Sequence, residues 1–146
     1  DNSVTHQWAR AQIAAGADIL FTMLNGARTG AIRACREGGA RQIGNALDWV
    51  AREPDVFVGS AIARIDIGVR RALENMVRGE TPDRVSEFGL ADGDFVSLAL
   101  HPDVPADIAS RIQGVAAQIR AGDIAVPTTY YGPEFEPKEE KCDATR

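Results

Sequence analysis

The stretch that decides the fold is residues 16–44, which read GADILFTMLNGARTGAIRACREGGARQIG. Residues 19–24 form a short, nearly continuous apolar run, as expected of a strand buried on both faces. Residues 29–36 then have the spacing of a helix with one apolar side. That side consists of Ala31, Ile32 and Cys35. Two glycines end this helix and residues 41–43 begin a second strand, so the stretch predicts a parallel pair of strands joined by a right-handed crossover.

Ligands of such sheets bind beside the carboxyl ends of the strands. The two places where a ligand site is expected are therefore the loop after Leu24 and the loop after Gly44. The first of these loops contains Asn25 and Gly26, where the backbone can approach a ligand closely. Because residues 25–30 lack both the Gly-Lys-Ser/Thr of a triphosphate loop and the GxGxxG of a dinucleotide fold, a neutral ligand is favoured over a phosphate.

A helix is predicted before this stretch, over residues 3–15, with Ser3 or Thr5 as its cap. Its apolar stripe consists of Val4, Trp8, Ala11 and Ala15. A helix that leads directly into a buried parallel strand normally follows an earlier strand. We therefore expect the chain to begin inside a larger fold.

The remaining elements follow from periodicity and from stop signals. Residues 45–55 are expected to form a loop, and residues 56–62 a third strand. A helix follows, with its apolar side at Val69, Leu73, Met76 and Val77, and it ends at Arg78 and Gly79. Short strands are expected at residues 84–89 and 95–100, and a last helix from Pro105 to Gly122. We expect residues 1–127 to form one domain and residues 128–146 an extended tail.

Composition excludes several classes of function. The chain has 146 residues and a formal net charge of −5, which argues against nucleic acid as a partner because neutralising phosphates requires a basic surface. No apolar run approaches the roughly 20 residues that span a bilayer. The two cysteines, Cys35 and Cys142, form no CxxC motif, so no zinc site and no other cofactor is expected. An oxidising compartment would permit a disulfide between them.

Neither histidine supports a catalytic site. His6 and His101 have no serine, cysteine or carboxylate partner at a spacing typical of nucleophilic catalysis. The carboxylate of greatest interest is Asp66, which lies where the third strand passes into a helix. Spacing alone favours a helix cap, and the functional alternative is a carboxylate that accepts hydrogen bonds from sugar hydroxyls or ring amines.

Several stretches resemble the basic membrane protein (BMP) family of substrate-binding lipoproteins, which includes the purine nucleoside receptors of bacterial ABC importers. Gly16-Ala-Asp-Ile-Leu-Phe21 is similar to the family's Gly-Ala-Asp-Val-Ile-Phe, and Gln42-Ile-Gly44 with Asp48 is similar to Ala-Ile-Gly-Val-Asp-Ser-Asp. Ser60-Ala-Ile-Ala-Arg-Ile-Asp66 is similar to Ser-Val-Val-Lys-Arg-Val-Asp. Phe88-Gly-Leu-Ala-Asp-Gly93 is similar to Phe-Gly-Leu-Lys-Asp-Gly, and the last helix ends in Arg-Ala-Gly-Asp-Ile-Ala-Val-Pro127, much like Ser-Gly-Glu-Ile-Lys-Val-Pro.

The resemblance extends to about Pro127 but covers only the C-terminal portion of the family's length. It implies an α/β, type I periplasmic-binding-protein-like fold, with a parallel sheet flanked by helices and a missing N-terminal lobe across a hinge. It also implies a solute-binding component of an ABC importer, not an enzyme, located in the periplasm or cell envelope. Its partners would be a nucleoside-like ligand and the ABC permease and ATPase, and the membrane would be reached only through a lipid anchor on the absent N-terminus.

Two other classes of function are compatible with such a fold. One is a ligand-sensing module of a transcriptional or signalling regulator, because a fold does not fix the output. The other is a nucleoside-cleaving enzyme, which would need a metal or a general base clustered at the cleft. No acidic cluster near Asp66 in the sequence suggests such an enzyme.

The resemblance also implies roles for single residues. Phe21 would lie near the base of a nucleoside, Gly44 would offer its backbone to the ligand, and Asp66 would bind ribose. These three residues are expected to face one shared hollow, and the remaining expected ligand-binding positions are Asn25, Gly26, Asn45 and Ala91. Two departures bear on the ligand: the family's lysine is Ala91 here, and the first aspartate after its Ile-Gly is Ala46. The cleft is therefore expected to bind a purine nucleoside or a related small ring compound.

Overall fold

A computed structural model describes residues 1–80, 85–127 and 129. Their helices and strands, in chain order, are α1 (Asn2–Ala14), β1 (Ile19–Phe21), α2 (Arg28–Gly38), β2 (Arg41–Ala46), α3 (Trp49–Arg52), β3 (Phe57–Ala63), α4 (Ile65–Val77), β4 (Val96–Leu100) and α5 (Ala106–Ala121). The expected tail at residues 128–146 lies, apart from Thr129, outside the described residues. None of the helices in the described ranges combines the length and hydrophobicity needed to cross a bilayer.

The four strands form one sheet in the order β1-β2-β3-β4. The first three strands are parallel, which confirms the predicted crossover from β1 through α2 to β2. The fourth strand was expected within a parallel sheet, but it pairs antiparallel with β3. As a result, the carboxyl ends of β1 to β3 and the start of β4 share one edge of the sheet.

Helices α1 and α2 pack closely together on one face of this sheet. A Cβ atom on Gly30 would stand 2.0 Å from the backbone oxygen of Asn2, and one on Gly38 would stand 2.9 Å from a side chain of α1. The buried residue of α1 is Ala9, whereas Trp8 is 69% exposed. The predicted apolar stripe through Trp8 is therefore wrong, because α1 turns Ala9 and not Trp8 toward the core.

Two aspartates explain helix boundaries that differ from those predicted. The carboxylate of Asp1 accepts a hydrogen bond from the backbone N–H of Ser3 at 2.7 Å, so Asp1, not Ser3 or Thr5, caps α1. Asp48 in the same way accepts from the N–H of Ala51 at 3.0 Å and caps α3, a helical turn within the expected loop. In both places the aspartate satisfies an amide that the start of the helix leaves free.

Strand β1 is buried on one face only. Leu20 lies in the core beneath α1 and α2, whereas Phe21 is 63% exposed and Ile19 is also exposed. The prediction of burial on both faces is therefore wrong for the described residues, because α1 and α2 cover only one side of the strand. On the opposite face, α5 and the strands enclose an apolar hollow of about 390 Å³.

The segment before β4 is irregular, although residues 84–89 were expected to form a strand. The carboxylate of Asp92 accepts a hydrogen bond from the N–H of Gly89 at 2.6 Å, which closes a turn. Phe88 stacks on Phe95 with ring centroids 4.0 Å apart, and both rings lie beside Gly68 of α4. This stacking attaches α4 to the start of β4 and takes the place of strand pairing for residues 85–89.

Helix α4 confirms the predicted helix and its end, since Arg78 is the C-cap residue and Gly79 has a φ of +75°. Its apolar side chains are nevertheless exposed, with Leu73 at 57%. We call this row the α4 stripe, and it consists of Ile65, Val69, Leu73, Met76 and Val77. Helix α5 likewise ends as predicted, at Gly122 with a φ of +81°.

Candidate ligand site at the strand ends

An open hollow of about 410 Å³ lies where β2 and β3 end and β4 begins. The antiparallel pairing of β4 creates this arrangement, because Ile62 near the end of β3 lies opposite Ser97 near the start of β4. We call it the strand-end hollow. It is lined by Ala46, Leu47, Asp48, Ile62, Ala63, Arg64, Asp66, Asp94 and Ser97.

The strand-end hollow is acidic. Its lining includes three carboxyl groups, on Asp48, Asp66 and Asp94, and one guanidinium group, on Arg64. Arg64 donates from Nε and Nη2 to the two oxygens of Asp66 at 2.8 and 2.7 Å. These bonds lower the pKa of Asp66 to about 2, so its carboxylate is ionised throughout the neutral range. Such a lining suits ligands that present hydrogen-bond donors, such as hydroxyl and amino groups.

Asp66 is not the N-cap residue of α4, although the backbone amides of Asp66 and Ile67 add to the effect of Arg64 in lowering the pKa of its carboxylate. The residue at the N-cap position of α4 is Arg64, and the start of the helix has no side-chain cap. Asp66 lies in the first turn, where a negative charge is favourable, and its side chain is exposed at the hollow. Both carboxylate oxygens already accept from Arg64, so a ligand would have to use their remaining lone pairs or displace the guanidinium.

Gly44 provides space for an aromatic ring. A Cβ atom at this position would stand 2.6 Å from Cδ1 of Trp49 and 3.0 Å from Oγ of Ser60. The Trp49 ring in turn stacks on Phe57, with centroids 5.6 Å apart, and Ser60 donates to the backbone oxygen of Leu47 at 2.6 Å. Gly44 thus allows Trp49 to lie across β2. The expected contact between Gly44 and a ligand stays a prediction.

Ala46, the last residue of β2, has a backbone conformation that alanine rarely adopts. Its φ of +67° lies in the left-handed region, which costs a non-glycine residue roughly 1–2 kcal/mol. Strain of this kind persists only where the surrounding structure holds it. The strained residue lies in the wall of the strand-end hollow.

The other expected ligand-binding residues are dispersed. Phe21 lines a separate shallow hollow against the end of α1, so Phe21 and Asp66 do not share one hollow in the described part of the chain. Asn25 and Gly26 are exposed in the loop after β1, and Ala91 is exposed in the turn before β4. The expectation of a single hollow lined by Phe21, Gly44 and Asp66 is therefore not met in the described part of the chain.

Sequence reasoning missed several residues that shape the site. Arg64 directly follows β3 and Asp48 lies two residues after β2, so the strand-end rule could have identified both. Asp94 could not be placed, because the antiparallel pairing of β4 was not expected. Arg28 was also missed, because its buried side chain, 5% exposed, donates a hydrogen bond to Asn45, 17 residues further along the chain.

Neither the absence of a metal site nor the possible Cys35–Cys142 disulfide is tested by the described residues. Within residues 1–80 and 85–127, no group of three or more histidine, cysteine or acidic side chains is arranged to hold a metal ion. Cys35 is buried and forms no disulfide within the described residues, and burial raises the pKa of its thiol. Its proposed partner, Cys142, lies outside the described residues.

No protein-family model matches the sequence, and no curated protein matches it. Among solved structures, the chain is similar to an ABC transporter system solute-binding protein from Aeropyrum pernix K1, with a TM-score of 0.76 and 16% identity over 88% of this chain. The chain has the fold of solute-binding proteins. This finding confirms the predicted α/β, periplasmic-binding-protein-like class.

Two further solved structures share the fold. A solute-binding protein of an ABC transporter system from Conexibacter woesei DSM 14684 has a TM-score of 0.61 and 20% identity over 87% of this chain. A transcriptional activator of the comK gene from Bacillus halodurans has a TM-score of 0.71 and 15% identity over 81% of it. The chain spans 45%, 43% and 42% of the Aeropyrum, Conexibacter and Bacillus chains, that is, less than half of each.

Proposed function

We propose that this chain belongs to the solute-binding component of an ABC importer and forms one wall of a ligand cleft. The observation that carries the proposal is the acidic strand-end hollow, in a fold shared with solute-binding proteins. In sheets of this type, a ligand lies outside the carboxyl ends of the strands. The protein binds its ligand for transport and carries out no chemistry on it.

The proposed ligand is a purine nucleoside or a related small ring compound. Asp66 accepts hydrogen bonds from ribose hydroxyls, and its depressed pKa keeps it an acceptor. The exposed ring of Phe21 stacks on the base from the edge of the sheet. With alanine at positions 46 and 91, the site has neither the aspartate nor the lysine of the BMP pattern, so free bases and substituted nucleosides belong among the candidate ligands.

A second lobe completes the cleft in this proposal. Two observations support it: the α4 stripe is exposed, and the similar solute-binding proteins are about twice as long as this chain. Exposed apolar rows of this size are typical of surfaces that contact another domain or protein. Phe21 and Asp66 then contact one ligand only when the lobes close on it, which is a hinge motion driven by the ligand.

The cellular setting follows from the same proposal. As a BMP-type lipoprotein, the full gene product would lie at the outer side of the membrane, in the periplasm or cell envelope, held by a lipid on its N-terminus. It would deliver the ligand to an ABC permease whose ATPase drives import.

Calorimetry tests the proposal with a panel of purine nucleosides and the corresponding free bases. We expect the full-length gene product to bind a nucleoside tightly and the 146-residue chain to bind it weakly, because this chain supplies one wall. Asp66→Ala in the full-length protein should abolish the preference for nucleoside over free base. The matched control is Asp55→Ala, since Asp55 is also an exposed aspartate paired with an arginine, Arg36, but lies outside the hollow.

Two results would contradict the proposal. Tight binding by the 146-residue chain, equal to that of the full-length protein, would exclude a cleft between two lobes. Unchanged sugar selectivity in Asp66→Ala would remove Asp66 from the site.

The second candidate function is a ligand-sensing module of a transcriptional regulator. The similarity to the comK activator, at a TM-score of 0.71, favours it. Pull-down of an ABC permease by the full-length protein supports transport, whereas retention on DNA or on the transcription machinery supports regulation.

A further inference from the structure

The guanidinium of Arg28 is buried at the carboxyl edge of the sheet without an acidic partner among the described residues. The residue is 5% exposed, and burial lowers its pKa. Nη1 donates to Oγ1 of Thr22 at 3.1 Å, and Nη2 donates to the backbone oxygen of Leu24 and to Oδ1 of Asn45. A buried charge balanced only by neutral groups costs free energy. The groups that Arg28 bonds therefore indicate what this cost maintains in the structure.

The acceptors of Arg28 belong to the segments that leave two neighbouring strands. Thr22 and Leu24 follow β1, and Asn45 lies near the end of β2. The guanidinium carbon also lies 4.5 Å from the ring centroid of Trp49, the first residue of α3. A planar guanidinium with five donors can join these segments, because it presents its N–H groups in fixed directions while its flat face stacks on an aromatic ring.

Asn45 is held from two sides. Its side chain accepts from Arg28, and its backbone oxygen accepts from Nε1 of Trp49 at 3.0 Å. The next residue is Ala46, whose left-handed backbone must be held by its neighbours. Ala46 and the two residues after it, including Asp48, line the strand-end hollow.

We propose that Arg28 is a positioning residue for this ligand site: through Asn45 and Trp49 it fixes the backbone of residues 46–48 in the wall of the hollow. The inference rests on the proposed function in so far as the hollow binds the ligand. Arg28 itself contacts no ligand in this account. It determines whether the wall is ordered before the ligand arrives.

The matched control is Arg36, which is carried by the same helix. Arg36 is exposed and pairs with Glu53 and Asp55 on the surface. Replacing it removes one arginine from α2 without touching the hollow, and surface pairs of this kind contribute little to stability. Arg28→Met and Arg36→Met are therefore compared. Arg28→Lys is a third variant, which keeps the positive charge but loses the planar set of N–H donors.

The first arm of the experiment needs no ligand. The sequence contains two tryptophans, Trp8 and Trp49, so Trp8→Phe assigns the two indole N–H signals in a ¹⁵N NMR spectrum of the 146-residue chain. We expect Arg28→Met to shift the Trp49 indole signal and to speed exchange of the indole proton with water. Without Arg28, Asn45 is no longer held by its side chain, so its backbone oxygen holds the indole N–H less firmly. Arg28→Lys should produce the same change to a smaller extent, and Arg36→Met should leave the signal unchanged.

The second arm measures binding of the purine nucleoside panel to the full-length protein. Arg28→Met should weaken binding of the best ligand about tenfold. This is the low end of the loss in affinity when a residue that orients a metal ligand is replaced, and Arg28 orients the wall of the hollow in a comparable way. Should no member of the panel bind the unmodified protein, the ligand proposal fails while the first arm still decides the role of Arg28. If Arg28→Met does not fold, the Arg28→Lys comparison decides. An unchanged Trp49 signal in folded Arg28 variants overturns the inference, as does a changed signal with unchanged affinity.

Discussion

Gly44→Ala tests whether Gly44 is required by Trp49. The added Cβ would stand 2.6 Å from Cδ1 and 2.9 Å from Cγ of the indole, and 3.0 Å from Oγ of Ser60. Overpacking of this kind costs about 1–3 kcal/mol. Alanine is better than glycine in a strand interior by about 0.5–1 kcal/mol, so the net loss in the free energy of unfolding should be about 0.5–2 kcal/mol.

The assay is urea unfolding followed by far-ultraviolet circular dichroism. Gly26→Ala is the matched control, because a Cβ at Gly26 meets nothing within 4 Å, and its free energy of unfolding should change by no more than about 0.5 kcal/mol. In a Trp49→Ala background the Cβ at position 44 has room, so the two substitutions should be coupled by more than about 0.5 kcal/mol. Equal effects of Gly44→Ala and Gly26→Ala, or strict additivity with Trp49→Ala, would refute the packing argument.

Two further predictions concern the strand-end hollow. The carboxyl resonance of Asp66 should titrate near pH 2 and return toward its ordinary value of about 3.9 in Arg64→Met, as measured by ¹³C NMR. Since this folded-state pKa is depressed, the stabilisation by the Asp66–Arg64 ion pair is fully present above about pH 4 and is lost as the pH falls through about 2. A loss of this stabilisation between pH 7 and 5 would contradict the assignment of the low pKa to Asp66. Ala46→Gly should raise the free energy of unfolding by roughly 0.5–1 kcal/mol, because relief of about 1–2 kcal/mol of strain exceeds the entropy that glycine adds to the unfolded chain. A lower urea midpoint in Ala46→Gly would mean that the left-handed conformation is not strained.

The order of helices and strands could be predicted largely because the information is local. Glycines in left-handed conformations end helices, as at Gly39 and Gly122, and apolar runs mark the buried strands. Burial could not be predicted equally well. Trp8 was expected on the apolar side of the first helix, but α1 turns Ala9 toward the core and leaves Trp8 69% exposed, and helical spacing alone does not choose between the two.

The candidate site depended more on long-range contacts. Asp66 was identified correctly as a residue at a strand end, but its pairing with Arg64 was not expected. Arg28 was read as part of a glycine-containing loop, since nothing in residues 25–30 indicates that its side chain reaches Asn45, 17 residues further on. Contacts of this kind depend on how neighbouring strands align, which sequence periodicity does not specify.

The turn that precedes β4 can vary in sequence without disturbing the sheet. It comprises residues 89–94, is closed by its own Asp92–Gly89 hydrogen bond, and is joined to α5 by a hydrogen bond from Arg120 Nε to the Leu90 oxygen at 3.2 Å. It nevertheless supplies Asp94 to the wall of the strand-end hollow, because the reversed direction of β4 returns the chain to the edge where β3 ends. Substitutions in residues 89–94 can therefore change the lining of the hollow while every strand of the sheet keeps its register, and under the proposed function they would alter the preferred solute.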